Sequence, residues 1–370
     1  MNDKIISLIC FVIIILLIII ILPIYISIFL ILLLLLPFFY NHKINKNIKE
    51  IEVELLKKYN GVIKNIDGLN YYKIYGNNTN NALIPFDQMS SGHDGYNNPI
   101  ILLHGTGSCS LFAWDKEFID ELKNISPAIY MIDLPYFGNN NSIKEKYDKN
   151  TITDIIFKFI KQLNNKPIII SHSFGSYIGL QLCIKHPEYI HKIVAISPVG
   201  IFKFLGKYGP YWGLFFKLGF PTIFYKQLYL FENIIIALSK LFNQDSYTQT
   251  LLLRIVSNSH FIVNKYVDVT PFGVEWNEPL INHLVNSKVP MALVFGELDT
   301  LTPPTIGKLL NNIIGIPYYV INNSYHNPIN NIKNIKEIIN NCKKPKYNNI
   351  HILDKHYTSS FNFFRESKYY

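Results

Sequence analysis

Three residues supply the side chains of an acyl-transfer site, and each follows an apolar segment. Ser173 comes after Pro167–Ile170, Asp299 lies in the segment after Phe295, and His326 follows a later apolar run. A serine hydroxyl becomes a nucleophile when a histidine accepts its proton and a carboxylate holds that histidine. The residue types and their order predict nucleophilic attack on an acyl carbonyl.

The serine lies in Ser171-His-Ser173-Phe-Gly175, between an apolar run and a helical pattern. This arrangement is typical of a nucleophile elbow, a tight turn that exposes the serine hydroxyl at the edge of a sheet. The residues two before and two after the serine must be small, because strand and helix backbones approach each other there. Gly175 fulfils this condition, and Ser171 stands where glycine is usual.

A second glycine-containing loop follows the apolar run Ile100–Leu103. Acyl transfer needs two backbone N–H groups directed at the carbonyl oxygen. We expect Thr106 to supply one of them and Phe174, at the start of the helix, to supply the other. The remaining loop residues, His104, Gly105 and Gly107, are predicted to support the loop.

Asp299 is the predicted acid, because it follows an apolar run and precedes a helix that begins near two prolines. Glu297 is a rival two residues away. Asp133 also ends a predicted strand, but it precedes Ser173, and the expected order is serine, acid, histidine. The sequence favours Asp299 and leaves Glu297 open.

His326 is the predicted general base, because it follows the last apolar run and lies downstream of the acid. His260 and His283 fall in a long aromatic interval, where packing or surface roles are expected. His172, next to the serine, is predicted to pack beneath the turn.

Short apolar runs alternate with helical patterns along the chain, which favours an α/β fold with a doubly wound, mostly parallel sheet. The predicted strands are Tyr71–Tyr75, Pro99–Leu103, Ile129–Leu134, Pro167–Ile170, Lys192–Ser197, Val289–Phe295 and Tyr318–Ile321. The predicted helices are Trp114–Leu122, Thr151–Leu163, Phe174–Lys185, Thr305–Asn312 and Ile332–Asn341.

The interval 200–287 interrupts this alternation and is rich in Phe, Tyr, Leu and Trp. An insertion of that size is expected to form a helical cap over the site. We therefore divide the chain into an N-terminal anchor (1–42), a linker helix (43–59), a main domain (60–342) and a C-terminal tail (343–370) predicted to be disordered.

The anchor is predicted from Ile5–Tyr40, which contains no charged residue. As a helix it would be about 54 Å long, which exceeds the ~30 Å hydrocarbon core of a bilayer. Pro23 lies near its middle, so a single kinked transmembrane helix and a hairpin within one leaflet both remain open. A cleaved signal peptide is disfavoured, because the apolar run is too long and no small-residue cleavage site follows it.

Lysines 43, 46, 49, 57 and 58 follow the anchor, and only Lys4 and the amino terminus precede it. Positive residues favour the cytosolic side of a membrane. We expect an integral membrane protein whose main domain faces the cytosol, with the endoplasmic reticulum or lipid droplets as candidate membranes.

Composition excludes several other classes. Apolar residues make up 49% of the chain and charged residues 16%, which is incompatible with general disorder. The net charge is +9, but Arg254 and Arg365 are the two arginines, so no nucleic-acid partner is predicted. The four cysteines are widely spaced, so neither a disulfide framework nor a zinc site is expected. The sequence also lacks phosphate-loop and dinucleotide motifs, and no cofactor or metal is predicted.

With these motifs in this order, residues 60–342 resemble the α/β-hydrolase superfamily. Asp133-Leu-Pro-Tyr-Phe-Gly138 is similar to a stretch common in that superfamily. Two further segments resemble its branch of lysophospholipases, N-acyl-phosphatidylethanolamine lipases and a lipid-droplet coactivator: His186-Pro-Glu-Tyr-Ile-His-Lys-Ile-Val-Ala-Ile-Ser-Pro-Val-Gly200 and Phe272-Gly-Val-Glu-Trp-Asn-Glu-Pro-Leu-Ile-Asn-His-Leu284.

The resemblance implies a membrane-anchored serine hydrolase that cleaves acyl esters or amides, with a lipid as substrate. That branch often has an aspartate five residues after the catalytic histidine, associated with acyltransferase activity; Asn331 stands there in this chain. Epoxide hydrolases and dehalogenases need an aspartate at the position of Ser173. The alternative hypothesis is a noncatalytic membrane scaffold or lipase coactivator with the same fold. The oligomeric state stays open.

Overall fold

The computed structural model describes residues 44–77, 98–106, 109–140, 149–201 and 280–346. The predicted anchor, most of the predicted cap, Gly107 and residues 347–370 of the predicted C-terminal tail lie outside these residues. The first residues of that tail are described, and Lys343 forms an antiparallel bridge with Met291. Within the described ranges, none of the helices combines the length and apolar character needed to cross a bilayer.

Eight strands form one sheet in the order β1-β2-β4-β3-β5-β6-β7-β8. The strands β1 and β2 pair antiparallel, as do β2 and β4, and all other pairs are parallel. They are β1 Gly61–Ile66, β2 Leu69–Tyr75, β3 Ile100–Leu103, β4 Ala128–Ile132, β5 Ile168–His172, β6 Lys192–Ile196, β7 Met291–Gly296 and β8 Tyr318–Ile321. This mostly parallel sheet confirms the predicted fold class.

Helices cover both faces of the sheet, and a hydrophobic cluster lies under each layer. One layer contains α1 Ile44–Tyr59, α2 Ser110–Ala113, α3 Lys116–Lys123 and α8 Ile335–Asn340. The other contains α4 Lys149–Ile160, α5 Phe174–Lys185, α6 Ile281–Leu284 and α7 Thr305–Ile314. Alternate residues of β3 point into the two clusters. Ile101 packs in the cluster under the layer that contains α5, and Leu102 packs in the cluster under the layer that contains α1. Each fully buried aliphatic side chain of this kind contributes about 1.5–3 kcal/mol.

The central strands are buried on both faces, but β8 is not. Among the described strands it lies at the edge of the sheet and pairs with β7 alone, and Val320 is 39% exposed. The expectation that every strand in this alternation would be buried is wrong for β8, because an edge strand lacks a neighbour on one side.

The helix predicted to begin at Trp114 begins instead at Lys116, because Asp115 caps it by accepting the backbone N–H of Glu117 at 3.0 Å. Helix α1 packs on the domain through its last turn. Leu56 and Tyr59 are buried in the cluster that also contains Tyr72 of β2.

The two ends of the predicted cap interval meet at one point. The N–H of Leu280 donates to the carbonyl of Gly200 at 2.9 Å, and that of Ile281 donates to Ile201 at 3.2 Å. Leu284, within α6, is buried in the core. Residues 280–287 thus belong to the main domain, and the chain leaves and re-enters it beside β6.

Candidate active site

Ser173 lies between β5 and α5 in a backbone conformation that side-chain-bearing residues rarely adopt, with φ 52° and ψ −113°. Such strain persists only where the surroundings enforce it. Its N–H donates to the carbonyl of Ile196 at the end of β6, at 2.9 Å. The turn directs the side chain to the carboxyl edge of the sheet, where the loop after β8 meets it.

Gly175 is required by this turn. A Cβ atom at that position would lie 2.3 Å from the carbonyl oxygen of Leu103 and 2.5 Å from that of His104. Ser171 occupies the other small position and is fully buried, and its Oγ would lie 3.2 Å from a Cβ at Gly179. Both observations agree with the steric argument made from the sequence.

His326 joins the serine to the acid. Its Nε2 lies 2.8 Å from Ser173 Oγ, and its Nδ1 lies 2.9 Å from Asp299 Oδ2. In the neutral ring, Nδ1 donates to the carboxylate and Nε2 accepts the serine hydroxyl proton. The three predicted residues therefore form one continuous hydrogen-bonded chain.

Asp299 is almost fully buried, with 3% exposure, and its two oxygens accept several hydrogen bonds. Oδ1 accepts the backbone N–H groups of Leu301 and Thr302, each at 2.9 Å. Oδ2 accepts the hydroxyl of Thr302 at 2.6 Å in addition to His326. Burial alone would raise the pKa of Asp299, but His326 and Thr302 outweigh it and hold that pKa below its ordinary value.

Glu297 does not take part in this chain. It is exposed, and its Oε2 accepts the backbone N–H of Asn323 at 2.9 Å. Of the two candidate acids, Asp299 is therefore the one that bonds to His326.

The loop after β3 lies against the serine. A Cβ at Gly105 would lie 3.2 Å from Ser173 Cβ, so the loop packs on the elbow itself. Thr106 follows directly, and Phe174 is the first residue of α5, where backbone N–H groups have no partner within the helix. Both predicted amide donors therefore belong to segments next to Ser173.

A carboxylate, an imidazole and a hydroxyl in this order can activate the hydroxyl as a nucleophile. The sequence model of the α/β-hydrolase fold family matches residues 98–329. This chain belongs to the α/β-hydrolase fold family.

Two curated relatives of this α/β-hydrolase are distant. The abhydrolase domain-containing protein abhd-5.2 of Caenorhabditis elegans is 27% identical over 107 residues, 28% of this chain and 23% of that protein. The hydrolase YugF of Bacillus subtilis is 22% identical over 246 residues, 61% of this chain and 83% of that protein. The chain thus matches less than a quarter of the worm protein's length.

Among solved structures, a membrane phospholipase A described as a bacterial virulence factor superposes with a TM-score of 0.57 and 16% identity. The match covers 93% of this chain and 99% of that one. At this identity the likeness concerns the fold alone. Together with the family match, it confirms the predicted α/β-hydrolase fold.

His104 braces the glycine loop of this α/β-hydrolase, as the sequence suggested for it. The ring is fully buried, its Nδ1 donates to Gly105 O at 2.8 Å, and its Nε2 accepts the N–H of Leu134 at 2.9 Å. Burial lowers the pKa of His104, so the ring stays neutral and can keep both bonds.

Asp133 performs a related role that the sequence did not predict. Its Oδ1 accepts the backbone N–H of Ser110 at 2.7 Å. Its Oδ2 accepts the backbone N–H of Asn139 at 2.9 Å and the hydroxyl of Tyr72 at 3.3 Å. Ser110 lies just beyond the loop that His104 braces, so the loop is held at both ends by the segment after β4.

Thr302 was also missed, although a signal for it exists. Aspartate side chains often accept backbone N–H groups two and three residues ahead, and Asp299-Thr-Leu-Thr302 has a hydroxyl at the third position. Asn331 donates through Nδ2 to Ser324 Oγ at 2.8 Å.

Proposed function

We propose that this α/β-hydrolase is a serine hydrolase that cleaves acyl ester or amide bonds of lipids at a membrane surface. The hydrogen-bonded chain from Ser173 Oγ through His326 to Asp299 carries the proposal. A carboxylate buried this deeply is costly unless hydrogen bonds offset its desolvation, and Asp299 accepts such bonds from the Thr302 hydroxyl and from His326 Nδ1–H.

In the first half of the reaction, Ser173 Oγ attacks the substrate carbonyl while its proton passes to His326 Nε2. The imidazolium is stabilised by Asp299, whose pKa below the ordinary range keeps it ionised at neutral pH. The N–H groups of Thr106 and Phe174 hold the negative oxygen. His326 then protonates the leaving alcohol or amine, and Ser173 retains the acyl group.

In the second half, water attacks the acyl-serine, and His326 accepts a proton from it. The tetrahedral intermediate collapses, the fatty acid leaves and Ser173 regains its proton. Every group in this cycle comes from the protein, so the proposed reaction uses no cofactor or metal.

The lipid substrate is supported by three observations. The uncharged run 5–40 has the length and composition of a membrane anchor. Leu298 and Tyr325, which precede Asp299 and His326 in the chain, are large apolar side chains that are 42% and 70% exposed. A solved structure with this fold is a membrane phospholipase A. We propose the cytosolic face of an internal membrane as the location, from the lysines that follow the run.

A fluorophosphonate probe tests the chemistry, because it labels a serine only when that serine is activated. The full-length protein should be labelled and should hydrolyse a short ester, and Ser173→Ala should abolish both. Ser287→Ala is the matched control, since Ser287 lies beside Cys183 near the other end of α5 and should retain both activities. An unlabelled, folded wild type would instead favour the noncatalytic scaffold or coactivator.

Membrane attachment is tested separately on full-length protein. It should stay in the pellet after carbonate and high-salt washes and be released only by detergent. In detergent–lipid mixtures it should cleave long-chain lysophospholipid or N-acyl-phosphatidylethanolamine with a higher kcat/KM than a short-chain analogue. Release by carbonate would exclude an integral anchor, and a preference for short chains would exclude a lipid substrate.

A further inference from the structure

His172 ends β5 directly before Ser173 and is 9% exposed. Its Nε2 lies 2.8 Å from the backbone carbonyl oxygen of His326. A carbonyl only accepts hydrogen bonds, so Nε2 must carry the proton and donate it. This bond links the nucleophile strand to the backbone of the loop that carries His326.

Two adjacent residues thus hold one residue at two points. Ser173 contacts the side chain of His326, and His172 contacts its backbone carbonyl. The hydrogen bonds of the His326 ring to Ser173 and Asp299 hold the side chain but not the backbone of this residue. The bond from His172 fixes the Cα position of His326 relative to the same turn.

The same ring also bears on the glycine loop. A Cβ at Gly105 would lie 2.9 Å from His172 Nδ1 and 3.3 Å from its Cε1. The Gly105 backbone therefore lies so close to His172 that a side chain at position 105 would clash with the ring. The His172 ring thus contacts both the loop that carries His326 and the loop that carries Thr106.

We propose that His172 is a positioning residue that sets the distance between Ser173 and His326 and the placement of the Thr106 amide. The inference rests on the proposed function, because that distance matters only if Ser173 is the nucleophile. Reacting groups displaced by about 1 Å can lose about 100-fold in rate. His172 stands outside the Ser173–His326–Asp299 hydrogen-bonded chain and acts through its contacts with the His326 carbonyl and Gly105.

The charge state of the ring suits this role. Burial, together with the charge that His326 gains on protonation, lowers the pKa of His172 to about 3. The ring centroids of the two histidines are 5.4 Å apart. His172 therefore stays neutral while His326 becomes an imidazolium, and adds no second positive charge beside it.

A matched pair of amide variants isolates the hydrogen bond. In His172→Gln, the amide nitrogen is as many bonds from Cβ as Nε2 of histidine, so it can reach the His326 carbonyl. In His172→Asn, the amide is one carbon shorter and falls short of it. Both variants remove the ring and keep an amide donor, so only their reach differs.

We expect His172→Asn to lower kcat on a short soluble ester about 10- to 100-fold, with KM within about threefold of the wild-type value. Rates are normalised to active sites counted with the fluorophosphonate, so a loss of folded protein does not imitate the effect. His172→Gln should recover kcat to within about fivefold of wild type. Equal loss in both variants would mean that the ring fills space, and would overturn the proposal, as would a normal kcat in His172→Asn.

A second readout does not depend on turnover. The proton shared by His326 Nδ1 and Asp299 should give a far-downfield proton NMR signal in detergent-solubilised full-length protein. It should persist in His172→Gln and be lost or broadened in His172→Asn. If the wild type neither hydrolyses esters nor reacts with the probe, the proposed function fails, and this signal still decides whether His172 positions His326. An unchanged signal in His172→Asn would refute that role.

Discussion

The hydroxyl of Thr302 donates to Asp299 Oδ2 at 2.6 Å, on the same oxygen that accepts His326 Nδ1 at 2.9 Å. The imidazole and the threonine hydroxyl therefore donate to the same oxygen, and together they fix the orientation of the Asp299 carboxylate. Thr302 is buried, so water cannot replace its hydroxyl.

Thr302→Val should lower kcat by about tenfold, because it removes a hydrogen bond to a charged group, worth about 1.5–3 kcal/mol, and frees the carboxylate to rotate. Thr302→Ser keeps the hydroxyl and should stay within about threefold of wild type. Steady-state kinetics of Thr302→Val and Thr302→Ser on the same short ester would compare the two kcat values. Equal rates in both would show that the hydroxyl has no role in orienting Asp299.

Asp299→Asn should lower kcat by about 10⁴, because the amide favours the wrong tautomer of His326. Glu297→Gln is the control, since Glu297 is exposed and its carboxylate accepts the backbone N–H of Asn323 rather than contacting His326. We expect it to remain within about twofold of wild type. The reverse ranking of the two variants would assign the acid to Glu297.

Gly175→Ala should destabilise the fold by at least about 1–3 kcal/mol, because the new methyl group meets backbone oxygen atoms that cannot move away. Gly179→Ala, on the same helix, meets the flexible end of Ile193 at 3.0 Å and should cost less than about 1 kcal/mol. Thermal unfolding of both variants compares them. A Gly175→Ala protein as stable as Gly179→Ala would contradict the close approach of α5 to the end of β3.

Asp133→Asn should lower both stability and kcat, because an amide group cannot accept all the N–H and hydroxyl donors that now bind the carboxylate. Each buried donor left without a partner costs about 1–3 kcal/mol. Asp120→Asn is the control, since Asp120 pairs with Lys116 and Lys123 at a surface where ion pairs contribute about 0–1 kcal/mol. Normal turnover by folded Asp133→Asn would show that the loop after β3 holds its position without the carboxylate.

The free energy of unfolding should decrease as the pH falls from 6.5 to about 3, and part of this decrease should come from His172. The folded-state pKa is about 3 and the unfolded ring titrates near 6.5, so in this window the unfolded chain binds one more proton. The unfolding free energy should therefore decrease as pH falls, by up to about 1.4 kcal/mol per pH unit from this residue. His172→Gln has no titrating ring and should lose less stability than wild type from pH 7.5 to pH 5. Parallel melting-temperature curves would contradict the low pKa.

The fold class and the catalytic candidates could be read from local sequence, and the physical reason is that each depends on short-range patterns. Buried parallel strands require apolar runs of four to six residues, and the runs before Ser173 and Asp299 form such strands. The shorter run before His326 forms the partly exposed edge strand β8. Residues that follow such strands meet at one edge of a sheet, so their convergence could be predicted without knowing the strand order.

The tertiary structure alone decided between Glu297 and Asp299, since both are carboxylates after the same strand and only one lies within reach of His326. It also revealed the bonds between His172 and His326, 154 residues apart, and between Asp133 and Ser110. These bonds join segments that are distant in the chain, and their geometry depends on the register and twist of neighbouring strands. No local pattern encodes that geometry, because it exists only once the sheet has formed.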